Sequence, residues 1–204
     1  KLLKEFQTTF NSTFWEIYLF GAFKEYGFQV DFSFPSPDFL ISKGASQVVV
    51  EAVTANAAKG KPNEWDRSLN IKDIEELKRF KELNTEGMIR LSNSIHSKAL
   101  LYENRYKNLS HVKGKPFVIA VAPFEQPHFN HQYDRPIKAL LYDYYVDEDA
   151  YLDNPERYSA GPPGISLGFV EKENGAEINL GIFNDPSMSE VSAIVFSCVA
   201  TWGK

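Results

Sequence analysis

The sequence has very little cysteine and no long hydrophobic run. Cys198 is the only cysteine among 204 residues, which excludes a disulfide within the chain and a zinc site built from cysteines. No window approaches the roughly 18 uninterrupted apolar residues of a transmembrane helix. The first residues, Lys1 to Glu5, also lack the apolar core of a signal peptide. We therefore expect a cytoplasmic protein without a membrane segment.

The chain also lacks an initiator methionine, and it ends within residues 192–200, which have the apolar pattern of a strand. From these two ends we expect a trimmed chain or a piece of a longer protein. A length of 204 residues suits a single domain, and we expect one domain over residues 1–204. A hydrophobic content of 43% with 14% aromatic residues excludes a disordered chain.

An excess of basic residues is absent as well. The formal net charge is −5, which is not the overall charge of a typical nucleic-acid-binding protein. The local charge balance differs between residues 98 and 115, because this segment contains five cations and a single acid, Glu103. These cations are Lys98, Arg105, Lys107, Lys113 and Lys115. The segment fits a phosphate-binding surface, and a solvated helix face is the alternative interpretation.

Hydrophobic periodicity predicts alternating helices and strands. A capping box at Asn11 to Glu16 predicts a helix that ends near Gly27, and Phe28 to Phe34 has the alternation of a half-buried strand. The later elements are strands over 38–42 and 47–54, helices over 71–83, 87–109 and 137–145, a buried strand over 116–122, a hairpin over 167–183 and a last buried strand over 191–200. This order predicts an α/β fold with a mixed central sheet flanked by helices. We expect its core over about 10–125 and an elaboration over 126–204.

Two acidic residues lie opposite each other in the hairpin predicted over 38–54. If residues 43–46 form the turn, Ser42 pairs with Gln47, and counting back places Asp38 opposite Glu51. Directly opposed side chains have Cβ atoms about 5 Å apart, where like charges destabilise the pair. A shared proton or a bound cation would compensate them, and Mg²⁺ or Mn²⁺ suits such oxygen ligands better than zinc. Alternatively, one carboxylate caps a turn or pairs with a lysine.

Several short motifs in this order resemble the PD-(D/E)XK nuclease superfamily, which has the restriction-endonuclease-like fold. They are Phe14 to Ile17 on the first helix, Pro37-Asp38 at the start of a strand, and Val48 to Glu51, with twelve residues between the two acids. The segment from Arg90 to Tyr102, followed by Gly114 to Ala120, is similar to the helix and strand that complete that core. The resemblance covers roughly residues 10–125.

The resemblance implies Mg²⁺- or Mn²⁺-dependent hydrolysis of phosphodiester bonds in nucleic acid, with DNA expected before RNA. It assigns Asp38 and Glu51 to the metal, and it matches Glu16 to an acid on the first helix that often completes the site. The metal would acidify a bound water and neutralise charge on the phosphate. Glu16 equally suits a capping-box glutamate. The oligomeric state stays open, a homodimer included.

One position departs from the family pattern. The family has a lysine two residues after the second acid, where this chain has Val53. Lys98 is the best substitute, because it lies on the flank of the apolar stripe of the long helix and its stem could carry the ammonium toward the site. The spacing from Lys98 to Tyr102 is similar to a helix motif of some branches of the superfamily, so both are candidate catalytic residues. A solvated Lys98 and a core Tyr102 are the alternative. In that case the domain has lost catalysis and binds nucleic acid or protein.

Overall fold

A computed structural model describes residues 9–55, 80–124, 126 and 129–200 of the chain. The helices are α1 (Phe10–Glu25), α2 (Phe80–Leu101), α3 (Phe129–Gln132), α4 (Arg135–Tyr142) and α5 (Glu148–Asp153). The strands are β1 (Gln29–Asp31), β2 (Phe39–Lys43), β3 (Ser46–Thr54), β4 (Phe117–Ala122), β5 (Tyr145–Val146), β6 (Gly164–Ile165), β7 (Phe169–Glu171), β8 (Glu177–Asn179) and β9 (Ala193–Phe196). A π-helical turn, Tyr102–Tyr106, continues α2, and a 3₁₀ turn spans Pro186–Met188.

A mixed five-stranded sheet in the order β1-β2-β3-β4-β9 forms the centre of the fold. β1, β2 and β3 are antiparallel neighbours, whereas β3, β4 and β9 run parallel. The apolar run of β4 is buried between β3 and β9, as expected for a strand covered on both faces. The predicted α/β class with a mixed sheet is therefore confirmed.

Helix α1 packs against the sheet through one aromatic face. Trp15 is buried, and its indole N–H donates to the carbonyl of Ala120 on β4 at 2.9 Å. The helix ends before Gly27, whose φ of +76° favours glycine. The capping-box prediction was wrong, because α1 begins at Phe10 with Thr9 as the N-cap residue. Thr13 is buried inside the helix instead, so it cannot cap the start.

Two strand predictions needed correction. The strand expected over 28–34 is shorter in the structure, where β1 covers only Gln29–Asp31. Phe32 and Phe34 lie beyond it and are 63% and 38% exposed. The strand expected to be buried over 191–200 is β9, which is an edge strand and only half-buried. The helix expected over 71–83 falls mostly outside the described residues, and the described part of α2 begins at Phe80.

The contacts divide the chain into two compact units. Within the described residues, unit 1 consists of 9–55, 94–124 and 189–200, and unit 2 consists of 80–93, 126 and 129–188. Unit 1 contains the five-stranded sheet, and β9 joins this sheet from beyond the core predicted over 10–125. The single domain expected over 1–204 stays a prediction. None of the helices in the described ranges has the length and apolar character needed to cross a membrane.

Candidate active site

The register of the β2–β3 hairpin brings Asp38 and Glu51 together. Ser42 pairs with Gln47 and Phe39 with Val50, so one more step places Asp38 opposite Glu51, as the sequence predicted. The backbone N–H of Asp38 donates to Oε2 of Glu51 at 3.4 Å. The backbone N–H of Ala52 donates to Oδ2 of Asp38 at 2.8 Å. We refer to Asp38 and Glu51 as the acid pair.

Glu51 occupies a position where a charge is costly. It lies on β3 between β2 and β4, next to buried Val50, and it is only 3% exposed. Asp38 directly precedes β2 and is half-buried, so the acid pair reaches solvent mainly on its side. A carboxylate this deep in a sheet requires hydrogen bonds or an opposite charge.

Lys98 on α2 supplies an opposite charge. Its Nζ lies 2.7 Å from Oε1 of Glu51, and its side chain remains partly exposed. The structure therefore places the ammonium of Lys98 at the acid pair, whereas Val53 occupies the strand position two residues after Glu51. Whether Lys98 replaces the family lysine in catalysis stays a prediction.

The acid pair does not hold two negative charges easily. Burial raises the pKa of Asp38, although the Ala52 N–H and the charge of Lys98 oppose the rise. Burial and the neighbouring charge of Asp38 raise the pKa of Glu51, and the contact with Lys98 only partly offsets them. One lysine thus leaves part of the pair's charge uncompensated. Both carboxylates are hard oxygen donors at one point of the sheet, so the donor set fits Mg²⁺ or Mn²⁺.

Tyr106 is a site residue that the sequence analysis missed. Its hydroxyl lies close enough to Glu51 for the charge of the carboxylate to act on it, and the residue is only 9% exposed. Burial and the negative charges of Glu51 and Asp38 raise the pKa of Tyr106 to about 12. The hydroxyl therefore keeps its proton at neutral pH and is available as a hydrogen-bond donor to Glu51.

The π-helical turn explains why Tyr106 reaches the site. An α-helix turns about 100° per residue, so eight residues would carry Tyr106 about 80° around the axis from Lys98. The backbone N–H of Lys107 instead donates to the carbonyl of Tyr102 at 3.0 Å, which makes the wider i→i+5 turn. Each residue then turns through a smaller angle, and Tyr106 returns toward the side of Lys98. No pattern in the sequence predicts such a turn.

Tyr102, the tyrosine predicted from its spacing to Lys98, has a packing contact. Its ring stacks on Phe117 of β4, with the centroids 4.3 Å apart and the rings 17° from parallel. This contact fits the core alternative for Tyr102. Its catalytic role stays a prediction.

Glu16 lies in the interior of α1 and is half-buried. Because the helix begins at Phe10, Glu16 is not the glutamate of a capping box at Thr13. Among the residues with described positions, no group of three His, Cys, Asp or Glu side chains could hold one metal ion. Glu16 is therefore not grouped with the acid pair, and its metal role stays a prediction.

We compared the chain with models of protein families, with curated proteins and with solved structures, and found no match in any of the three.

Proposed function

We propose that this chain hydrolyses phosphodiester bonds in nucleic acid with the help of Mg²⁺ or Mn²⁺, as a divergent protein of the PD-(D/E)XK type. The observation that carries the proposal is the contact of Lys98 with Glu51, 2.7 Å, directly beside Asp38. Two carboxylates and a cation from another element are the groups that such a site needs when Val53 replaces the strand lysine. The resemblance in the sequence supplies the reaction class.

The order of elements supports the same proposal. Helix α1, three antiparallel strands, the part of helix α2 from residue 94 onward and the parallel strand β4 follow one another in unit 1. This is the order that the sequence resemblance implies for the core. Asp38 directly precedes the second of these strands and Glu51 lies on the third, where the motif acids were expected.

Each residue has a distinct task under this proposal. Asp38 and Glu51 would hold the metal, which would acidify a bound water and neutralise charge on the phosphate. Lys98 keeps Glu51 in place and contributes positive charge near the reacting phosphate. Tyr106 would donate a hydrogen bond that restricts the orientation of the Glu51 carboxylate. Glu16 and Tyr102 remain further candidates.

One observation favours a second function, in which the domain binds nucleic acid or protein without cutting it. The ammonium of Lys98 already compensates part of the charge of Glu51, so a domain that has lost catalysis can keep this carboxylate buried without a metal. This function predicts binding that EDTA does not change.

Cleavage of single-stranded DNA, plasmid DNA and RNA with Mg²⁺ or Mn²⁺ tests the proposal. We expect cleavage by the wild type, none in EDTA, and none by Asp38→Asn. Asp185→Asn is the matched control, because Asp185 is exposed and lies in unit 2. Cleavage that survives Asp38→Asn, or a wild type that neither cuts nor binds Mn²⁺ in calorimetry, would contradict the proposal.

A further inference from the structure

The loop between β1 and β2 carries exposed aromatic side chains immediately before the acid pair. Phe32 and Phe34 are 63% and 38% exposed. The ring of Phe34 stacks face to face on the imidazole of His111, with the centroids 3.8 Å apart and the rings 6° from parallel. We call Phe34 and His111 the aromatic platform. Since Phe34 stays exposed, its ring contributes less to the core than a buried phenylalanine does.

The aromatic platform is held in place from both sides. A ring nitrogen of His111 hydrogen-bonds the carbonyl of Ser36 at 2.8 Å. At the start of the loop, the backbone N–H of Ser33 donates to Oδ1 of Asp31 at 2.8 Å. Pro35 also restricts the backbone within the loop. A platform fixed in this way loses little conformational freedom when a flat ligand stacks on it.

Both residues of the platform lie close in sequence to residues of the candidate site. Phe34 precedes Asp38 by four residues, which limits their Cα separation to about 15 Å. His111 follows Tyr106 by five residues, and Tyr106 lies close to Glu51. These connections keep the platform within about 15 Å of Asp38, measured between Cα atoms, which a short stretch of nucleic acid can span.

The segment that contains His111 is rich in positive charge. Its cations are Arg105, Lys107, Lys113 and Lys115. Arg105 and Lys113 are exposed, whereas Lys107 pairs with Glu103. Asp31 also lies close enough to His111 to interact with it electrostatically. The balance beside the platform is positive, although the whole chain is acidic, which favours a polyanion as the ligand.

We propose that the aromatic platform stacks an unpaired base of single-stranded nucleic acid and so delivers the adjacent phosphodiester to the acid pair. An aromatic ring beside cations is the combination that binds single strands, because stacking accepts any base and the cations follow the phosphates. In a duplex each base face is already covered by its neighbours, so the platform selects against double strands. The delivery step rests on the proposed hydrolysis, whereas the binding step does not.

The test is binding in EDTA, measured by fluorescence anisotropy with labelled oligonucleotides of about 16 nucleotides. The probes are oligodeoxythymidine, oligouridine, an abasic strand with the same phosphates, and a duplex of the same length. We expect both base-containing single strands to bind more tightly than the abasic strand and the duplex. The two base-containing probes distinguish DNA from RNA as the preferred single strand.

Variants locate the binding. Phe34→Ala and Phe34→Leu should each weaken single-strand binding about 5- to 100-fold, while Phe34→Trp should retain it. Phe169→Ala is the matched control, because Phe169 is also exposed (47%) but lies in unit 2. Thermal unfolding of each variant verifies the fold. Equal binding of the duplex or the abasic strand, or an unchanged affinity in Phe34→Ala, would overturn the inference.

Cleavage with Mg²⁺ separates this inference from the proposed function. Platform-dependent binding without any cleavage would support the platform and contradict the hydrolase. Cleavage that requires Asp38 but is the same in Phe34→Ala would support the hydrolase and contradict the platform.

Discussion

At the residue scale, the acid pair lowers the stability of the fold. Asp38 and Glu51 are desolvated and close together, and burial raises the pKa of both. A raised carboxyl pKa means that the folded protein destabilises the charged form, so the pair costs folding free energy at neutral pH. Such a cost persists where function needs the residues.

This cost predicts that Asp38→Asn stabilises the protein. The amide oxygen can still accept the Ala52 N–H, while the negative charge beside Glu51 is lost. We expect the free energy of unfolding at neutral pH to increase by about 1 kcal/mol, measured in EDTA by denaturant titration. Asp185→Asn, at an exposed position, should show no such gain. A less stable Asp38→Asn variant would contradict the interpretation that the negative charge of the acid pair destabilises the folded protein.

The tyrosines of the π-helical turn give a second prediction at this scale. Tyr106→Phe removes the donor to Glu51 but keeps the ring, so Mn²⁺ affinity and cleavage should fall about 10-fold. Tyr102→Phe is the matched variant, because it keeps the stacking on Phe117 and loses only a hydroxyl of the same turn. Calorimetry with Mn²⁺ measures both. Equal losses in the two variants would argue against a special role for Tyr106.

At the scale of elements, Asp143 connects the C-terminal end of α4 to residues 166–168 through hydrogen bonds. This residue adopts φ +53°, and its carboxylate accepts hydrogen bonds from the hydroxyl of Ser166 and from the backbone N–H groups of Leu167 and Gly168. Burial alone would raise the pKa of Asp143, but the Ser166 hydroxyl and the two N–H groups outweigh it and lower the pKa.

A lowered pKa predicts a defined pH dependence for Asp143→Asn. Asparagine tolerates the left-handed backbone, so the substitution removes mainly the charge. The wild type should be more stable than the variant by about 1 kcal/mol at neutral pH. Its advantage should be lost as the pH falls below the ordinary carboxyl value of 3.8 and through the lower folded pKa. Thermal unfolding at several pH values checks this, and a difference that does not shrink in acid would contradict it.

Some elements could be predicted from the sequence because their signals are local. The turn residues around Gly44 and the valines of β3 fixed the hairpin register, and the register alone brought Asp38 to Glu51. The alternation of Phe32 and Phe34 predicted a longer β1, but alternation does not tell a strand from an exposed loop with aromatic side chains.

Other features depend on tertiary packing. Thr13 resembled a helix cap, yet it is buried within α1. The approach of Lys98 to Glu51 could be proposed from the helix flank, whereas Tyr106 could not. Its position depends on an i→i+5 turn that no residue pattern marks.

At the scale of the whole molecule, unit 1 depends on a strand that comes late in the chain. β9 pairs with β4 through residues 193–196, and the backbone N–H of Ser192 donates to the carbonyl of Phe117 at 2.7 Å. Without β9, buried β4 would become an edge strand with unpaired backbone groups.

A chain that ends after Met188 should therefore lose the cooperative unfolding transition of unit 1 and aggregate. Val195→Thr is the control, because Val195 is an exposed residue of β9 and its replacement should change the unfolding free energy by less than about 0.5 kcal/mol. Thermal unfolding followed by circular dichroism, together with light scattering, measures both effects. A soluble truncated chain with an unchanged transition would contradict this role of β9.

The discontinuity of unit 1 also has a consequence for synthesis on the ribosome. The residues of the acid pair, Lys98 and Tyr106 all emerge before residue 107, but the far edge of their sheet emerges only with residues 193–196. All described residues of unit 2 precede this strand in the chain. During translation, β4 therefore stays an unpaired edge strand of the sheet that carries the acid pair until β9 emerges. A chaperone that binds in that interval would contact β4.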